Sequence, residues 1–171
     1  MLEIACGMGF HTDLFCRMGF DCSGMDICET AVRLARERYP NRTFHQADAT
    51  GALPVTPHSL DVVITRGCSL YHYDLSAPGP VAATDNILGY LKPGGRFILI
   101  IASDLSGDRR PGQIWQNRLV DYREHFARFG QPFTVGWRKG MVICSLGGGG
   151  RRSLGRGRAG FSDGSAHRAG L

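Results

Sequence analysis

In the run LEIACGMGFHT, Gly7 and Gly9 stand where a short apolar stretch gives way to an amphipathic one. A glycine-rich turn from strand to helix is where open α/β sheets receive nucleotide-like ligands. Glycine suits the place because a ligand laid against the loop must approach the main chain, and a side chain at Gly7 or Gly9 would fill that space. A glycine pair alone does not separate ligand binding from a tight turn. Asp26 comes 17 residues after Gly9, at the end of the next apolar run. An acid there accepts hydrogen bonds from both hydroxyls of a ribose; the structural alternative is a cap for the helix that follows. Asp48, in FHQADAT, ends a third run and by itself reads equally well as a turn aspartate ahead of Gly51.

The fourth chemistry-bearing stretch is LDVVITRGCSLYHYD. Arg66 has two readings, a charge-assisted bond to a ligand carboxylate or an ion pair with a surface acid. Tyr71 and His72 are candidate proton acceptors for a reacting nucleophile, against the plainer reading of packing or surface residues. Thr12 also carries information. A dinucleotide fingerprint has its third glycine there, bringing the helix start up to a pyrophosphate, so threonine favours a cofactor with no phosphate.

These residues need a scaffold, and the hydrophobic pattern supplies one. Short apolar runs alternate with amphipathic stretches, which predicts a parallel sheet wrapped by helices. Strands are expected over Leu2 to Cys6, Asp21 to Asp26, Arg42 to Ala47, Leu60 to Thr65 and Arg96 to Ala102. Helices are expected over His11 to Met18, with Thr12 or Asp13 as cap and Gly19 as stop, and over Glu29 to Tyr39, ended by Pro40. Further helices are expected over Pro80 to Leu91 and Trp115 to Phe129. Pro93, Gly94 and Gly95 turn the chain into the fifth strand, and Phe133 to Trp137 pairs with Met141 to Leu146 as a hairpin across Arg138 to Gly140. The fold class is therefore α/β, a doubly wound, mostly parallel, seven-stranded sheet with helices on both faces.

The 171 residues suit one domain, and 43% hydrophobic with 20% charged residues is ordinary for a soluble globular chain. The formal charge of +5 lies almost wholly at the end, where Arg151, Arg152, Arg156, Arg158 and Arg168 face Asp163. Residues 1–146 hold 15 basic and 14 acidic residues, a balance that gives no reason to expect a nucleic-acid substrate. From Gly147 to Leu171 periodicity disappears, and 9 of the 24 glycines lie there, so a disordered Gly/Arg-rich tail is expected. An RNA-binding tail is the sharper alternative, disfavoured because Phe161 is its only aromatic residue. The six cysteines show no CxxC pair or zinc-finger spacing, which implies free thiols and no metal. No run is apolar enough to cross a membrane and no signal peptide opens the chain, so a cytoplasmic location is expected.

LEIACGMG resembles the first motif of class I S-adenosylmethionine-dependent methyltransferases, an acid followed by a glycine-rich loop, with Ala5 where glycine is commonest. The resemblance covers residues 2 to about 146 and implies a Rossmann-like fold with S-adenosyl-L-methionine as cofactor. It implies that Glu3 and the loop Ala5, Cys6, Gly7 to Gly9 hold the methionine end, that Asp26 meets the ribose with Ile27 also in the cofactor site, and that Asp48 and the Ala49 amide meet the adenine. TRGCSLYHY is similar to the RGNSL-type stretch of some small-molecule methyltransferases, with Cys68 replacing asparagine. Nothing like an NPPY tetrad occurs, so a small-molecule acceptor is implied. Tyr122 and His125 are secondary candidates for the acceptor border, against core packing. Family members generally carry a helical lid before the first strand, and this chain opens on that strand. The lid is therefore expected to be absent and activity to suffer from entry of water. The competing expectations are a non-catalytic cofactor-binding or interaction domain and a nicotinamide-dependent oxidoreductase. Oligomeric state is not legible.

Overall fold

A computed structural model describes residues 1–147, and the Gly/Arg-rich stretch from residue 148 onward lies outside the described residues. Seven strands form one sheet in the order β3-β2-β1-β4-β5-β7-β6. They are β1 (Leu2–Ile4), β2 (Ser23–Asp26), β3 (Thr43–Gln46), β4 (Leu60–Arg66), β5 (Leu91–Ala102), β6 (Phe133–Arg138) and β7 (Met141–Gly147). The first five are parallel, whereas β7 runs antiparallel between β5 and β6. The sheet is thus the mostly parallel, seven-stranded one expected, and β7 takes Gly147 as its last residue.

Four helices join the strands: α1 (Phe10–Arg17), α2 (Glu29–Arg38), α3 (Pro78–Tyr90) and α4 (Leu119–Ala127). From β1 the chain winds outward through β2 to β3, then returns to the other side of β1 for β4 and β5. Right-handed crossovers in opposite directions put the connecting helices on opposite faces. The core divides accordingly. Val32 and Ala35 of α2 meet Cys6 and Phe44 in one cluster, while Ala83 and Ile87 of α3 and Tyr122 and Phe126 of α4 belong to the other. Strand alternation splits β1 the same way: Leu2 and Ile4 join the larger cluster, and Glu3 points toward α1.

Beyond shifts of a few residues in the bounds of other elements, such as α3 from Pro78 and β5 from Leu91, three departures from the sequence expectation have a clear cause. First, β1 stops at Ile4 because Ala5 already adopts a left-handed conformation, φ 58°. Second, neither Thr12 nor Asp13 caps α1, which starts directly after Gly9; both lie buried inside the helix. The Thr12 hydroxyl is donated to Glu3, and the Asp13 carboxylate is held between Arg17 and Arg42, each at 3.0 Å. Third, α4 begins at Leu119 rather than Trp115. Residues 104–118 form a loop instead, closed by the Gly107 amide donating to Gln116 O at 2.8 Å and tied to the segment after β4 by the Trp115 amide donating to His72 O at 2.8 Å. The expected turn through Pro93 to Gly95 is present as an interruption of β5: Leu91 pairs with Leu60, and pairing resumes at Arg96 with Val62.

Candidate functional site

The change of winding direction between β1 and β4 leaves a crevice beyond the carboxyl ends of the strands, the general ligand position in such sheets. A cavity of about 390 Å³ opens there, and Ala5, Asp26, Ile27, Asp48 and Ala49 are on its wall. Gly67 to Leu70, after β4, form the opposite side. Four connections that follow four different parallel strands thus converge on one space. Ile27 is apolar yet 67% exposed, so a flat apolar ligand face has a side chain to lie against.

Asp26 holds the floor together. Its Oδ2 accepts the Gly7 amide at 2.8 Å and its Oδ1 accepts the Cys28 amide at 2.9 Å. The carboxylate therefore ties the glycine loop to the start of α2, and each oxygen keeps lone-pair capacity for a ligand hydroxyl. Asp26 does not cap α2, whose N-cap is Cys28; its bond to the Cys28 amide orders the turn before the helix, and the residue lines the cavity. At Asp48, Oδ1 accepts the Thr50 amide at 2.9 Å, which fixes the turn after β3, and Asn86 of α3 braces that turn from behind by donating to Ala49 O at 2.8 Å.

The two glycines of the loop do different work. A Cβ on Gly7 (φ +53°) would meet nothing within 4 Å, so open space lies beside it. One on Gly9 (φ +80°) would come 2.5 Å from Phe44 Cζ and 3.1 Å from Ala35 Cβ. The requirement for glycine at position 9 is therefore internal packing, not ligand access, and to that extent the sequence expectation is corrected. Gly24 is a glycine the motif reading overlooked. A Cβ there would stand 2.6 Å from Thr12 Oγ1, so β2 supplies the close helix-to-strand approach that a dinucleotide fold obtains from glycine in the helix. The signal is the small residue directly before Met25 in β2.

Glu3, Cys6, Gly7 and Gly9 are not among the residues that line the cavity, and Glu3 lies beneath the loop. Glu3 is 3% exposed, accepts from Thr12, and has His11 Nδ1 3.6 Å from its Oε1. Burial raises its pKa from the ordinary 4.5 to about 7, against the lowering effect of the Thr12 bonds. Arg66 is exposed at the end of β4, off the cavity wall, and it makes no ion pair among the described residues; its positive charge helps to lower the pKa of His11.

Tyr71 is overturned as a proton acceptor. It is 1% exposed, its hydroxyl bonds to Thr84 Oγ1 at 2.9 Å, and burial pushes its pKa well above the usual tyrosine range. Tyr122 and His125 likewise are core residues and not a border of the site. His72 alone remains of that group. Half-buried, it packs against Gly67, with Nε2 3.9 Å from where a Cβ on that glycine would stand, and its buried Nδ1 has no partner among the described residues. Burial lowers its pKa, which keeps the ring neutral near pH 7. Gly67 to Leu70 line the cavity, and the short helical turn Ser69–Tyr71 then carries Tyr71 into the core. All six cysteines are free thiols.

Residues 1–95 match the model of a family described as a methyltransferase domain. A curated relative, dTDP-3-amino-3,4,6-trideoxy-alpha-D-glucopyranose N,N-dimethyltransferase of Streptomyces venezuelae, is 38% identical over 48 residues, 28% of this chain. That match spans only 20% of the relative's length. A crystal structure of a protein from Pyrococcus horikoshii OT3 superposes with a TM-score of 0.67 at 21% identity, over 85% of this chain and 80% of that one. The phosphoethanolamine N-methyltransferase 2 of Haemonchus contortus, in complex with S-adenosyl-L-methionine, superposes with a TM-score of 0.66 at 22% identity, over 80% of this chain and 34% of that one. The fold is shared with these structures, and the match over more than half of its sequence places the chain in the methyltransferase domain family.

Proposed function

We propose that this protein is an S-adenosyl-L-methionine-dependent methyltransferase acting on a small-molecule acceptor. One observation carries the reading: Asp26 and Asp48, from the ends of two neighbouring strands, stand on the wall of a single cavity beside an open main-chain turn at Ala5 and Gly7. Carboxylates so placed suit the two ends of an adenosine, the ribose hydroxyls at Asp26 and the adenine amino group at Asp48. Apolar Ile27 and the Ala49 amide flank the base, and the loop from Ala5 to Gly9, seated on Glu3, takes the methionine end. Arg66 stands outside this set.

The cofactor supplies a methyl group on a sulfonium, open to in-line displacement by a nucleophile. The protein's task is then to align the groups and exclude water. Gly67 to Leu70 form the wall nearest the acceptor. His72, neutral at pH 7 and beside Gly67, takes the proton that the nucleophile loses. The relative's aminosugar substrate suggests an amine of comparable size, and the near-neutral charge of residues 1–146 does not favour nucleic acid. A cytoplasmic setting agrees with six unpaired thiols, and no helix among the described residues is long and apolar enough to cross a membrane.

A nicotinamide cofactor fits less well. Thr12 occupies the position of the third glycine and spends its hydroxyl on Glu3, so the start of α1 is not shaped for a pyrophosphate. Titration calorimetry with S-adenosylmethionine, S-adenosylhomocysteine and NAD tests the reading. Binding of the first two and not the third is expected; NAD binding alone overturns it, and cofactor binding without transfer to any acceptor in a metabolite panel leaves a binding domain.

A further inference from the structure

The wall that faces the acceptor is poorly able to hold itself. Between Gly67 and Leu75 the chain makes one short helical turn, with only the Tyr71 to Cys68 bond at 3.0 Å and the His72 to Ser69 bond at 3.2 Å inside it. A turn of that length is not self-supporting in water. At its start the Gly67 amide donates to Ile100 O at 2.9 Å, which fixes it to β5. Its middle and end are held from two sides: the loop before α4 donates the Trp115 amide to His72 O at 2.8 Å and Asn117 Nδ2 to Tyr73 O at 2.9 Å, and a buried side-chain network holds Tyr71 and Leu75. The Tyr71 hydroxyl meets Thr84 Oγ1 at 2.9 Å, Thr84 Oγ1 meets His125 Nε2 at 3.0 Å, and His125 Nδ1 meets Leu75 O at 2.8 Å. Thr84 also reaches Pro80 O of its own helix at 2.8 Å.

All of this is buried. Thr84 is 0%, Tyr71 1% and His125 1% exposed, and the three come from the turn, α3 and α4. A carbonyl only accepts, so the bond to Leu75 O places the hydrogen of the neutral imidazole on Nδ1, and Nε2 is then an acceptor. Thr84 has one hydroxyl proton and two acceptors in reach, Pro80 O and Nε2, and receives the Tyr71 proton. Each member is thereby oriented by the next, and removal of the central hydroxyl leaves buried groups unpaired.

We propose that Thr84 and His125 are positioning residues for the acceptor-side wall: through Tyr71 and Leu75 they hold Gly67 to Leu70 and His72 in place without touching a ligand. The inference rests on the methyltransferase reading only for what the wall does; that the wall is clamped stands on the hydrogen bonds. Neither residue lines the cavity, and His125 lies 50 positions from the carbonyl it holds.

Amide hydrogen exchange and S-adenosylhomocysteine titration on the full chain test this with Thr84→Val, which removes the hydroxyl at nearly constant volume, and Thr84→Ser, which keeps it. In Thr84→Val, amides of Gly67 to Leu75 should exchange at least tenfold faster while those of β1, β2 and the Asp48 turn exchange as in the wild type. Its affinity for S-adenosylhomocysteine should fall three- to tenfold, and Thr84→Ser should behave like the wild type in both. Unchanged exchange over Gly67 to Leu75 would overturn the proposal. So would acceleration spread evenly over the sheet, or a Thr84→Ser variant as disturbed as Thr84→Val, since both mark packing alone. Should Thr84→Val not fold, Tyr71→Phe removes a single link and must show the same local acceleration. A wild-type chain that binds no S-adenosylhomocysteine removes the methyltransferase reading and leaves the exchange result to decide the clamp.

Discussion

The Gly7 amide donates to Asp26 Oδ2 at 2.8 Å, so the residue proposed to receive a ribose also sets the shape of the loop proposed to receive the rest of the ligand. The other oxygen of the same carboxylate orders the start of α2 through the Cys28 amide. Under the proposed function, ligand binding and loop geometry are therefore coupled through one side chain.

Asp26→Ala should accordingly weaken S-adenosylhomocysteine binding by tenfold to a hundredfold, since hydrogen bonds to a charged group are worth about 1.5 to 3 kcal/mol. Calorimetry reads this directly. Affinity equal to wild type would remove Asp26 from the ribose position.

Gly7 and Gly9 should separate under substitution. Gly9→Ala drives a methyl into Phe44, and overpacking of this kind costs about 1 to 3 kcal/mol on top of the left-handed backbone penalty. Gly7→Ala meets open space and should cost stability only the backbone term of about 1 to 2 kcal/mol. Denaturant titration of both variants, and of Gly9→Ala combined with Phe44→Leu, checks the packing claim. The combination should recover part of the loss seen in Gly9→Ala.

Ala5 carries a φ of 58°, a conformation that glycine adopts without cost. Ala5→Gly should stabilise the fold by about 1 kcal/mol once the larger freedom of unfolded glycine is offset. A higher denaturation midpoint at unchanged slope is the expected result, and a loss of stability would show that the Ala5 methyl is needed by the core cluster it packs against.

Two buried groups give opposed pH dependences. Glu3, raised to about 7 by burial, binds a proton in the folded state where the unfolded chain has lost it, so its contribution to stability falls as pH rises from 4.5 to 7. His125, lowered by burial to about 4, resists a proton the unfolded chain accepts, so its contribution falls as pH drops from 6.5 to 4. Each amounts to about 3 kcal/mol across its window. Glu3→Gln should therefore gain on the wild type as pH rises from 4.5 to 7 and hold that gain above it. His125→Gln should lose least, relative to wild type, near pH 4 and most above pH 6.5. Stability curves at four pH values between 4 and 8 check both; a difference from wild type that is flat with pH would contradict the burial of the group concerned.

Much of the architecture was legible because it follows from local pattern. Apolar runs of strand length separated by amphipathic stretches specify a parallel sheet with crossover helices, and Pro40 and the Pro93 to Gly95 turn mark boundaries by backbone sterics alone. The order Gly7, Gly9, Asp26, Asp48 was likewise readable, since each residue ends or follows a strand and the topology brings such ends together. The limits of α4 were less legible. Trp115 and Phe129 carry helical spacing, yet the Trp115 amide is taken by His72 O, a bond across 43 positions that periodicity does not encode.

What the sequence determined by itself is the identity and order of the groups at the carboxyl edge of the sheet, because strand alternation and crossover handedness leave little choice about where they fall. Tertiary structure alone decided which of them meet the cavity. It turned Tyr71 inward to Thr84 and His125, assigned Gly9 to Phe44, and set Glu3 beneath the loop. Each outcome depends on the volume and hydrogen-bonding capacity of a partner dozens of residues away, and one-dimensional spacing holds no record of that partner.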